Sequence, residues 1–183
     1  MERNIRIERI LPYSCEQVWH ALTDQRILAS WFMPNDIKPE LHYEFTFHMK
    51  PQRGWDGMTY CEVIELEPLY RLAYSYRGRA SGEKTLACAR IDSPYANAAV
   101  KNVFTELDTV LRFTLTPERL CDGAEKTRLV LEHTGFKGLK LMLVSIVMES
   151  GWRRRVLRRL SEVLDSLDPA ATTEETITVG QTA

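Results

Sequence analysis

The sequence is constrained most by a repeated two-residue alternation that ends in one stripe at helical spacing. Between residues 41 and 49, Leu41, Tyr43, Phe45, Phe47 and Met49 share one side, and His42, Glu44, Thr46 and His48 the other. Leu72, Tyr74 and Tyr76 alternate with Ala73 and Ser75. Leu111, Phe113 and Leu115 alternate with Arg112 and Thr114, and Leu129, Leu131 and His133 with Val130 and Glu132. Successive side chains of a strand point to opposite faces, so this pattern specifies antiparallel strands with one buried face. Residues 58–67 also read as a strand, but Val63 and Ile64 are both apolar and leave its register open. Near the end, Trp152, Val156, Leu160, Leu164 and Leu167 mark one face of a long helix, which stops before Asp168-Pro169.

The elements before and between these strands follow from turn and cap chemistry. Ile5 to Ile10 reads as a short first strand ended by Pro12. Ser14-Cys15-Glu16-Gln17 fits a capping box and predicts a helix holding Val18, Trp19 and Leu22. Thr23-Asp24 predicts a second short helix with Ile27, Leu28 and Trp31, stopped by Pro34. Residues 51–57 predict a hairpin loop with Asp56-Gly57 at its end; Pro68 and Asp122-Gly123 separate later strands. Residues 79–106 interrupt the strands with Ala-rich sequence, where Ser93-Pro94 could open a short helix through about Phe104. That stretch reads equally as a surface insertion or as a flap over a site. Residues 168–183 read as a disordered tail, which leaves one domain over residues 1–167.

A one-faced sheet needs a cover, and the C-terminal helix is the only element long enough. The expected class is α+β: a curved antiparallel sheet wrapped around a long C-terminal helix, with two short helices after the first strand. A twisted sheet curls, so a single helix in the curve can leave a gap. Phe45, Phe47, Tyr74, Tyr76, Phe113, Leu131 and His133 would line it from the sheet, and Trp152 from the helix. Aromatics at alternate strand positions also make an ordinary core, and pattern alone leaves both readings open.

Composition removes several alternatives. The 183 residues carry 24 basic and 25 acidic side chains, a formal charge of -1, which excludes a bulk basic field for nucleic acid. Cys15, Cys61, Cys88 and Cys121 form no C-x-x-C pair and read as reduced thiols. His42 and His48 stand ~20 Å apart along a strand, too far to share a metal. No nucleotide-binding or nucleophile-elbow motif occurs, and neither a cofactor nor a metal is expected. Glu62, Glu65 and Glu67 read as solvated charges on a half-exposed strand rather than as paired catalytic carboxylates. The N-terminus has no apolar signal core, and residues 139–148 are too short to cross a membrane, so a cytoplasmic protein is expected. Arg153, Arg154, Arg155, Arg158 and Arg159 form the densest basic cluster, either a solvated face or a docking surface for an acidic partner or lipid head group.

The chain resembles the heat-shock-protein-90 ATPase activator homologues of the START-like (SRPBCC) superfamily. The resemblance runs in order through Val18-Trp19-His20-Ala21-Leu22-Thr23-Asp24, Trp31-Phe32-Met33-Pro34, Phe45-Thr46-Phe47 and Trp55-Asp56-Gly57. It continues through residues 61–68, 71–76 and 127–136 to Gly151-Trp152, Leu160 and Leu164. It implies the helix-grip fold and a central cavity, with Trp31 joining the lining residues. The insertion at 79–106, Tyr76 in place of a common Trp, and the apolar approach at 139–148 depart from the family pattern. The first expectation of function is a non-enzymatic module binding a small apolar or amphipathic ligand. A chaperone-ATPase activator-like partner module is the second. An enzyme of the aromatic-cyclase or hydrolase type, with His133 as the acid/base group, is the third.

Overall fold

A computed structural model of the chain describes residues 2–51, 55–80, 106–119 and 125–167. The helix expected after Ser93-Pro94, the Asp122-Gly123 turn, the tail from residue 168 and most of the 79–106 insertion lie outside the described residues.

Six antiparallel strands form one sheet in the order β1-β6-β5-β4-β3-β2. They are β1 (Glu2–Leu11), β2 (Glu44–His48), β3 (Trp55–Glu67), β4 (Arg71–Ala80), β5 (Asp108–Arg119) and β6 (Glu125–Lys137). The first two insertion residues, Arg79 and Ala80, extend β4. Two short helices, α1 (Cys15–Thr23) and α2 (Gln25–Trp31), bridge the two edge strands. The Ser14 capping box forms as expected, with Gln17 N–H donating to the Ser14 hydroxyl and Ser14 N–H to the Gln17 side chain. Asp24 serves both helices. Its N–H closes α1 on the His20 carbonyl, and its carboxylate accepts the Arg26 and Ile27 N–H groups that open α2. The Ile27 N–H bond leads in holding this carboxyl below its ordinary value.

The alternation holds in the centre of the sheet and fails at one edge. Phe45 and Phe47 are buried, but Leu41 and Met49 are 53% and 43% exposed. Pairing of β2 with β3 runs only from Glu44↔Glu62 to His48↔Met58, so those two residues lie beyond the ladder. The open register of β3 resolves with Thr59, Cys61 and Val63 inward and Ile64 on the other face. Asp56-Gly57 lies inside β3, at a register shift between Trp55 and Thr59, rather than in the preceding loop. Gly57 has φ +83°, and a Cβ there would stand 2.3 Å from the Met49 carbonyl oxygen. The outer-face carboxylates are paired rather than merely solvated: Glu65 holds Arg112, Glu67 holds Arg71 and Glu62 meets His42.

The C-terminal helix begins earlier than its stripe implies. It runs as α3 (Gly138–Gly151), a π turn (Trp152–Val156) and α4 (Leu157–Leu167). The Leu157 N–H bonds the Trp152 carbonyl, five residues back. The buried stripe is therefore Leu141, Ser145, Trp152, Leu157, Leu160 and Leu164. Val156 is only half-buried and Leu167 is 45% exposed, so Leu157 takes the place the spacing assigned to Val156. Leu139, Leu143, Ile146 and Val147 of α3 are exposed. Among the described residues no helix is long and apolar enough to cross a membrane.

Candidate functional site

Strand period and helix stripe converge on a single aromatic layer. Trp31, Phe45, Phe47, Tyr74, Tyr76, Phe113, Leu131, His133 and Trp152 are all at most 5% exposed. The layer starts on β2, where the Phe45 and Phe47 rings meet edge to face at 5.3 Å. Phe45 meets Tyr74 on β4 at 5.2 Å, and Tyr74 lies 6.2 Å from Phe113 on β5. Tyr76 meets His133 on β6 at 5.4 Å, and Trp152 of the helix lies 6.4 Å from both Phe113 and His133. Much of the space expected at the centre of the grip is thus filled by the rings themselves.

Sequence reasoning missed Phe32 as a site residue. Its ring stands 4.8 Å from Trp152, 4.9 Å from Phe47 and 5.7 Å from Trp31, so it joins α2 to the sheet and to the helix. Phe32 is the C-cap residue of α2 and belongs to no periodic run. Its only signal was its place beside Trp31 in the Trp-Phe-Met-Pro stretch.

Beside this layer lies a groove of about 350 Å³. Phe32, Met33, Tyr76, Met148, Trp152 and Val156 supply most of its wall, with Arg155 and Arg159 at the helix side. Its lining is mainly apolar. A depression on the outer sheet face, beside Glu44, Tyr60, Glu62 and Arg77, is polar instead. The apolar approach to the last helix does shape the groove, through Val147 and Met148.

Two buried polar atoms in the layer have no hydrogen-bond partner among the described residues, the Tyr74 hydroxyl and His133 Nδ1. The Thr109 hydroxyl donates to the Tyr76 carbonyl at 3.0 Å, which commits its one proton. It must therefore accept from His133 Nε2, 2.9 Å away. This fixes the neutral Nε2–H tautomer and leaves Nδ1 as a bare acceptor. Burial lowers the His133 pKa to about 3. Burial likewise raises the hydroxyls of Tyr74 and Tyr76 and the thiol of Cys61 well above their ordinary values. The aromatic layer is uncharged at neutral pH, with one acceptor and one donor lacking a partner among the described residues. Among the described residues no group of three or more His, Cys, Asp or Glu could hold a metal ion.

The chain that builds this sheet and helix matches a known family. The model of the family described as Activator of Hsp90 ATPase homolog 1-like protein covers residues 12–165. The chain belongs to that family. Its helix-grip, SRPBCC-type fold recurs in solved structures. Protein MLL2253 from Mesorhizobium loti is 26% identical, with a TM-score of 0.66, over 91% of this chain and 99% of that one. Protein Mll3558 from Rhizobium loti is 18% identical, with a TM-score of 0.61, over 89% and 97%. Protein BH1534 from Bacillus halodurans is 21% identical, with a TM-score of 0.59, over 88% and 96%. No curated protein matches the chain.

Proposed function

We propose that the domain is a non-enzymatic binding module that takes a small apolar or amphipathic molecule between the sheet and the C-terminal helix. One observation carries this reading. An apolar groove opens against the aromatic layer, walled by Tyr76 and Trp152 of the layer itself with Phe32, Met33 and Met148 beside them. Tyr76 and Trp152 belong to both the groove and the layer.

The state of His133 favours binding over proton transfer. A general base works best with a pKa near the operating pH, and burial has carried this imidazole far below it. Its Nε2 proton is tied to Thr109, which suits a fixed acceptor.

Native mass spectrometry of freshly purified protein tests the reading. The expected result is a small apolar or amphipathic adduct at one per chain, lost on Trp152→Ala. A bare protein mass, together with no binder from a panel of single-chain amphiphiles and sterols, would overturn it.

A further inference from the structure

The groove has a polar end with a definite charge. Arg155 and Arg159 stand four residues apart, at the junction of the π turn and α4, and both line the groove. Neither pairs with a carboxylate among the described residues. Their neighbours do: Arg153 holds Glu149 at 3.0 Å, and Arg158 holds Glu162 at 3.3 Å. The other residues that line the groove, Phe32, Met33 and Met148 among them, carry no charge to offset them. The extra residue of the π turn gives the buried place to Leu157 and leaves Val156 half-exposed in the groove wall, beside both arginines.

We propose that the ligand is a single-chain amphiphile with a carboxylate head. Its chain lies in the groove against Phe32 and Trp152, and its head lies between Arg155 and Arg159. This rests on the ligand-binding reading above and assigns the ligand's charge and orientation. A guanidinium is a flat fork of donors that matches a carboxylate bidentately, and two of them four residues apart on a helix share one face. A groove of about 350 Å³ is within the range of small-molecule sites.

The test is calorimetric titration of the full chain with dodecanoate and with dodecan-1-ol, both below aggregation. Dodecanoate is expected to bind about tenfold more tightly than the alcohol, with the difference shrinking in high salt. The Arg155→Gln/Arg159→Gln double variant should lose about tenfold for dodecanoate and nothing for dodecan-1-ol. The Arg153→Gln/Arg158→Gln double variant, which changes the net charge equally but lies off the groove, should bind both as wild type does. Equal binding of acid and alcohol by wild type would overturn the carboxylate head and leave the binding module standing. So would an equal loss of dodecanoate affinity in the two double variants. Binding of neither compound would overturn the carboxylate amphiphile, and the binding module itself then stands or falls on the mass-spectrometric test above.

Discussion

Trp31 donates its indole N–H to the Ala21 carbonyl at 2.9 Å, so a buried α2 side chain is tied to the backbone of α1. Buried Asn35 is treated the same way, donating to the Met33 carbonyl and accepting from the Ile37 N–H. The fold therefore satisfies the polar atoms that brace its helices, while the Tyr74 hydroxyl and His133 Nδ1 in the aromatic layer have no partner among the described residues.

Tyr74→Phe removes a buried hydroxyl that has no partner among the described residues. The variant should gain about 1 kcal/mol in urea unfolding, because the desolvation cost disappears and no protein hydrogen bond is lost. The same change should weaken binding of any ligand that bonds the hydroxyl. A loss of stability would show that the hydroxyl has a partner in the folded protein.

Acid should destabilise the fold through His133. Its folded pKa is about 3 against an ordinary value of 6.5, so between these limits the unfolded chain binds a proton that the folded chain does not. Stability from this group is complete above pH ~6.5 and falls as pH drops toward 3, by up to about 1.4 kcal/mol per pH unit. Glu65 and Asp24, whose carboxyls are held below their ordinary values, add their own losses only at lower pH. Denaturant midpoints between pH 7.5 and 4.5 should therefore slope in wild type and flatten in His133→Leu. Equal slopes would contradict the assignment.

Two glycines should respond oppositely to alanine. At Gly57 the positive φ and the Met49 carbonyl leave no room, so Gly57→Ala should cost about 2 kcal/mol or more. At Gly151 the backbone is helical with φ -61°, and an added Cβ meets nothing within 4 Å. Gly151→Ala should gain about 0.5–1 kcal/mol. Thermal denaturation of the two variants checks both signs.

How much of this was written in the sequence varies by element. Strand period alone placed Phe45, Phe47, Tyr74, Tyr76, Phe113, Leu131 and His133 on one buried face, because a sheet covered on one side forces that alternation. Residues 138–151 did not read as helix. Leu139, Leu143, Ile146 and Val147 are apolar on its exposed side, so no single stripe stands out. The adjacent pair Val156-Leu157 was ambiguous by nature: both are apolar, and only the π turn decides which is buried. The unpaired state of Tyr74 and His133 depends on cross-strand partners, which no local pattern encodes.

The step of five residues from Trp152 to Leu157 has a consequence for chain length. In an α-helix each added or removed residue turns everything beyond it by about 100° and shifts it ~1.5 Å, which would unseat Leu160 and Leu164. Here the buried positions on either side of the π turn are already spaced as if one surplus residue had been absorbed between them. Deleting Arg154 should restore an unbroken α-helix with both flanks in place and leave the melting temperature within a few degrees of wild type. Deleting Ser161, inside α4, should unfold the domain. The helix is thus tolerant of a one-residue deletion at the one point where its turns are wound loosely, and intolerant elsewhere.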